Sequence, residues 1–133
     1  MTLPRALAAE MVAHARAGLP DEACGVLAGH ADGTVTRFLP AVNADASPFR
    51  YRIEGQELLR LVLELEEAEE EMVAIYHSHT RSPAYPSRTD LEQARHWPDP
   101  AYVIVSFQRA DDPVLKAFRL RGGSIADCPL EVV

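Results

Sequence analysis

The chain has 133 residues, 47% of them hydrophobic and 25% charged. That is the composition of a soluble globular protein with one domain over residues 1–133, and it excludes a disordered or fibrous chain. The formal net charge is −7, but six acidic residues (Glu64, Glu66, Glu67, Glu69, Glu70 and Glu71) crowd one stretch, which reads as the solvated face and end of a helix. The lack of clustered Lys and Arg argues against a nucleic-acid partner. No apolar run of about eighteen residues and no cleavable leader are visible, which argues against a membrane. Cys24 and Cys128 are far apart and form no Cys-x-x-Cys pair, so neither a disulfide framework nor a cysteine zinc site is indicated, and a cytoplasmic location is expected.

In chain order, residues 4–18 carry Leu7, Met11, Val12 and Ala15 at helical spacing and meet Gly18 and Pro20, a helix end. Residues 23–30 and 35–42 are apolar or β-branched runs around the turn Ala-Asp-Gly-Thr, the pattern of a β-hairpin. After the turn-rich residues 43–48, Phe49, Tyr51 and Ile53 alternate with arginines, which predicts a strand. From Gln56 to about Glu71, Leu58, Leu59, Val62, Leu65 and Ala68 share one face of a predicted second helix. Residues 72–79 read as a strand ending in two histidines, residues 87–97 as a third helix stopping before Pro98, and residues 101–108 as a buried strand. Residues 114–121 and 124–133 read as two strands joined at Gly122-Gly123, a two-residue hairpin turn; ten residues follow that pair, so it is not a diglycine tail. This order predicts an α/β (α+β) fold, a mixed central sheet flanked by helices.

The chemistry concentrates in residues 76–90. His77 and His79 are at i and i+2, seven residues separate His79 from Ser87, and Asp90 follows two residues beyond that. On an extended strand end, i and i+2 point to one side, so both imidazoles can face one ion, and Asp90 in the first turn of the third helix can add a carboxylate oxygen. Two histidines and one carboxylate leave a fourth position open, as in catalytic zinc sites. Such a centre needs a carboxylate beside the metal to carry protons. Glu22, in the turn before the strand at residues 23–30, is the candidate, with Asp21 as the fallback. Cys24 reads as a small buried hydrophobe, His14, His30 and His96 as surface residues, and Tyr76 as a core residue.

Glu22 followed by an apolar strand, then His-Ser-His, seven residues, Ser87, two residues and Asp90, resembles the signature of the JAMM/MPN-plus metalloprotease family, and the element order resembles its short prokaryotic members. The resemblance implies an MPN/JAB architecture, similar to that of cytidine deaminases. It implies Zn2+ on His77, His79 and Asp90, water activation by Glu22, and an oxyanion contact from Ser87. It further implies a zinc metallopeptidase or isopeptidase cutting after the C-terminal Gly-Gly of a ubiquitin-like or sulfur-carrier protein. Thr80 stands where family members commonly have proline, which puts the stiffness of the loop in question.

Plainer readings exist for each part, since paired histidines occur on surfaces and Ser-x-x-Asp is also a capping box. A non-catalytic scaffold of the same family is the alternative, but such domains usually lack a motif residue, and all five are present here. A zinc deaminase would need a Cys-x-x-Cys pair, which is absent. The released group and the oligomeric state, a homodimer included, are not legible in these residues.

Overall fold

Strands covered on both faces read as unbroken apolar runs, and two such runs organise this molecule. The computed structural model describes residues 1–133. Its elements are β1 (Thr2–Leu3), α1 (Arg5–Gly18), β2 (Cys24–Gly29), β3 (Val35–Ala41), α2 (Gly55–Glu67), β4 (Glu71–His79), α3 (Arg88–Ala94), β5 (Ala101–Ser106), β6 (Val114–Arg121), β7 (Ser124–Cys128) and β8 (Glu131–Val132). Every residue of β2 and β5 is buried. They lie inside a six-stranded sheet of order β3-β2-β4-β5-β6-β7, in which β4 and β5 pair in parallel and every other neighbour is antiparallel. A parallel pair needs a crossover, and α3 supplies it.

Side-chain alternation along the strands divides the core between the two sheet faces. Leu27, Ala74, Tyr76, Val103 and Val105 pack with Met11 and Ala15 of α1 on one face. Val26, Ile75, Tyr102, Ile104 and Phe118 pack with Leu61 and Leu65 of α2 and Ala94 of α3 on the other. No helix is long and apolar enough to cross a membrane.

The mixed sheet and the hairpins are as the sequence predicts, and the three helices lie where it places them, although α3 closes at Ala94, short of the expected end at residue 97. Gly122 and Gly123 have φ of 60° and 79°, the left-handed pair of a tight hairpin turn, with Arg121 opposite Ser124. Five further expectations need correction. Residues 49–53 pair with no strand: Phe49 is 79% exposed while Tyr51 is buried, and the backbone there bonds to the Asn43 side chain instead of to a ladder. α2 stops at Glu67, because Glu69 takes a φ of 56° and Glu70 swings out to meet Arg37 at 2.6 Å. Its buried stripe runs through Leu61 and Leu65, leaving Leu59 exposed. The final predicted strand is two, because β7 ends at Cys128 and β8 pairs in parallel with β1, joining the chain ends. His14 is half-buried, with Nδ1 3.0 Å from the Tyr76 hydroxyl and its pKa lowered by burial.

One close approach gives a direct test of the β2–β3 pairing. A Cβ added at Gly29 would stand 1.9 Å from the Thr34 carbonyl oxygen, a backbone atom that moves only if the hairpin opens. Gly29→Ala is therefore expected to destabilise by about 2 kcal/mol or more. Calorimetry would show this as a Tm several degrees lower, and an unchanged Tm would contradict the packing.

Candidate metal centre and its surroundings

β4 delivers His77 and His79 to the same sheet face, and both side chains are buried. The third group arrives through a helix start. Ser87 caps α3 by accepting from the Asp90 backbone N–H at 3.1 Å, and Asp90 Oδ2 accepts from the Ser87 N–H at 2.9 Å, a reciprocal capping box. That geometry aims the buried Asp90 carboxylate at the strand end. Its Oδ2 lies 3.0 Å from Nε2 of His77 and 3.0 Å from Nε2 of His79, and the two nitrogens are 3.2 Å apart.

The proton inventory shows what this triangle lacks. His79 Nδ1 donates to the Pro83 carbonyl at 2.8 Å. In a neutral ring that leaves Nε2 bare, so a nitrogen lone pair faces a carboxylate oxygen and a second imidazole. His77 Nδ1 has no partner, so its one ring proton can sit on Nε2 and serve Asp90 or His79, but the contact between His79 Nε2 and Asp90 Oδ2 still lacks a proton, which a positive charge among the three atoms would satisfy. Ring protonation is one source: burial lowers the His79 pKa, but the Asp90 hydrogen bond, the Pro83 carbonyl and the charges of Asp90 and Glu22 outweigh it and leave it raised. Burial likewise raises Asp90, and the histidine contacts with the Ser87 N–H hold it far below the usual carboxylate range. A metal ion is the other source. With zinc–ligand bonds of 2.0–2.1 Å, a tetrahedron has edges of about 3.3 Å, close to the separations present here. The donor set and the Pro83 contact that orients His79 fit zinc.

Glu22 reaches this centre through sheet register. Cys24 lies opposite His77, and Ala23 is tied to Ser78 by two hydrogen bonds, Ser78 N–H to the Ala23 carbonyl (3.0 Å) and Ala23 N–H to Ser78 Oγ (2.8 Å). One step further along the same register, Glu22 falls opposite His79 on the shared face. Its carboxylate is buried and Oε1 has no partner, a costly arrangement unless something else uses that atom. Burial pushes its pKa up to about 8, with the His79 charge opposing and the Asp90 charge adding. Asp21, the fallback, is half-buried in the turn after α1, its N–H on the Gly18 carbonyl. Cys24 is fully buried, and burial together with the Glu57 and Glu22 charges pushes its thiol up to about 12, so it offers no thiolate.

Two residues of the centre's wall were not singled out in the sequence. Tyr51 stacks on His77, with ring centroids 4.4 Å apart at 17°. Asn43 ties together the segment that carries it: Nδ2 donates to the Glu22 and Arg50 carbonyls (both 3.0 Å), and Oδ1 accepts from Asp45 and Arg52 N–H (both 3.1 Å). The turn-rich composition of residues 43–48 was the available signal, because Asn in a turn bonds nearby backbone. Thr80 anchors the same segment from the other side, its hydroxyl donating to the Pro48 carbonyl at 3.1 Å. That bond ties down the loop where the family's proline would stiffen it.

Comparison with known proteins agrees with this architecture. Residues 4–121 match the family described as prokaryotic homologs of the JAB domain. A protein of Mycobacterium tuberculosis named CysO-cysteine peptidase is 45% identical over 124 residues, 92% of this chain and 84% of the relative. A Haloferax volcanii protein named desampylase is 40% identical over 102 residues, 72% of this chain and 73% of that protein. The solution structure of protein DSY2949 from Desulfitobacterium hafniense superposes with a TM-score of 0.90 at 34% identity, covering 99% of this chain and 92% of the other. The chain therefore belongs to the prokaryotic JAB family of the JAMM/MPN type and is a peptidase.

Proposed function

We propose that this peptidase is zinc-dependent and hydrolyses the bond after the C-terminal Gly-Gly of a ubiquitin-like sulfur-carrier protein, releasing an amino acid such as cysteine. The observation that supports the metal assignment is the triangle of His77 Nε2, His79 Nε2 and Asp90 Oδ2, whose separations match the edges of a zinc tetrahedron and whose unprotonated contact between His79 and Asp90 a shared cation would satisfy. The substrate class is supported by the relatives' names, CysO-cysteine peptidase and desampylase.

When bound, zinc supplies a Lewis acid for the scissile carbonyl, acidifies water, and favours the ionised form of Glu22. Glu22 takes a proton from the attacking water and returns it to the departing nitrogen, so the amide ends as a carboxylate and an amine. Ser87 accepts the Asp90 N–H at Oγ and keeps its own hydroxyl hydrogen for the developing oxyanion. Tyr51 and the Pro83 carbonyl hold the two imidazoles in place.

The deciding experiment uses a sulfur-carrier protein with one residue beyond its Gly-Gly terminus, with intact mass as the readout. Zinc-loaded protein is expected to remove that residue, and a chelator is expected to stop it. No cleavage by protein shown to hold zinc would reject the reading and favour a scaffold that only binds such carriers.

A further inference from the structure

We infer that the cleft beyond His79, lined by Arg109 and Lys116, binds the free α-carboxylate of the residue being released, so that the enzyme prefers a terminal peptide bond to a lysine side-chain linkage. This rests on the reading that the bond after Gly-Gly is cut. The cleft has a volume of about 450 Å³, and its lining includes Pro83, Ser106, Gln108, Arg109, Asp112 and Lys116.

Sheet register places Lys116, in the wall of this cleft, on the histidine face of the sheet. His77 pairs with Ile104 and Ile104 with Lys116, while His79 pairs with Ser106. Residues paired across neighbouring strands share a face, so Lys116 projects from the same face as both histidines, two strands away, or about 10 Å between backbones. The loop wall is shared as well: the Pro83 carbonyl that accepts from His79 Nδ1 belongs to a residue lining the cleft, and Ser106 Oγ donates to the neighbouring Ser82 carbonyl at 2.6 Å.

Charge then selects the occupant. The chain carries a net charge of −7, and of its 13 Lys and Arg residues Arg37, Arg50, Arg52, Arg60 and Arg88 have carboxylate partners while the others, the exposed Arg109 and Lys116 among them, do not; these two are the cations that line this cleft. Arg109 and Lys116 side chains have no hydrogen-bond or ion-pair partner, and Asp112 is the one acid that lines the cleft with them. Two unpaired cations against one acid, beside a bond-cleaving centre, suit an anion attached to the leaving group. When the bond broken is a terminal peptide bond, the leaving amine carries its α-carboxylate on the adjacent carbon, within reach of long side chains from β6 and the β5–β6 turn. A lysine side-chain amide holds no free carboxylate there, since four methylenes separate its nitrogen from the partner's backbone. Arg can grip a carboxylate with two parallel N–H donors, and Lys adds a point charge.

The test uses zinc-loaded full chain and two versions of the carrier substrate, ending in Gly-Gly-Cys as the free acid or as the carboxamide. The wild type is expected to cleave the acid with a kcat/KM at least tenfold higher, mostly through KM. Arg109→Ala combined with Lys116→Ala is expected to collapse the acid-to-amide ratio toward one, and Arg109→Lys combined with Lys116→Arg to restore most of it. Equal rates for acid and amide in the wild type would overturn the inference, as would a double variant that slows both substrates alike and preserves their ratio. Cleavage of neither substrate would reject the underlying reading of the bond, and the carboxylate site with it.

Discussion

Glu22→Gln is expected to leave the chain folded and able to hold zinc while lowering turnover by about 10³-fold or more, the scale of a general acid–base contribution. The substitution keeps volume and one carbonyl oxygen but removes the group proposed to accept and return the proton. Metal content should not change, because the converging ligand atoms come from His77, His79 and Asp90. Zinc per chain and single-turnover cleavage of the carrier substrate check both halves, and a fully active variant would remove Glu22 from the mechanism.

The same substitution carries a stability signature. The folded carboxyl titrates near 8 because burial disfavours its charge, against 4.5 when unperturbed. The folded state therefore holds the proton more tightly than the unfolded chain. The associated stability is present below about pH 4.5 and is lost as pH rises toward 8. In chelator-treated protein, the wild type is expected to lose stability across that window relative to Glu22→Gln, which has no carboxyl to ionise. Parallel denaturation curves at pH 5 and pH 8 for the two proteins would refute the assignment.

His77→Ala is expected to abolish both metal binding and turnover. The truncation removes one of the three proposed ligand atoms, takes away the ring on which Tyr51 stacks, and leaves Asp90 with a single imidazole partner. Zinc retention should fall from about one ion per chain to near none at micromolar free metal, and activity should fall with it. Asp90→Asn separates charge from capping. Its side-chain oxygen can still accept the Ser87 N–H, so α3 keeps its start, but the lost negative charge should weaken zinc binding by about 100-fold. Retained stoichiometric zinc in His77→Ala would dismiss the triangle as the metal site.

Much of the ligand geometry is local and therefore legible in the chain. Alternation along β4 aims His77 and His79 the same way, and the Ser87–Asp90 capping box points the carboxylate back at them through a helix start only four residues long. Alternation also misled: Phe49, Tyr51 and Ile53 have the spacing of a strand, yet with no partner ladder the segment is shaped by Asn43 and Thr80, and only Tyr51 is buried. The end of α2 escaped for a similar reason, since Arg37 draws Glu70 out of a helical pattern that by itself would continue.

The i, i+2 histidines, the helix cap and the hairpin glycines were readable because each depends on backbone geometry within a few residues. The remainder rests on contacts between distant segments. Glu22 faces His79 because β2 and β4, more than fifty residues apart, pair in one register, and a slip of a single residue would turn its carboxylate to the α1 side of the sheet. The Tyr51 ring against His77, the Asn43 bond to the Glu22 carbonyl, and the placement of Lys116 on the histidine face were decided by the same sheet. Register between distant strands is selected by burying two whole faces at once, and that energy belongs to the assembled core, not to any short stretch of chain.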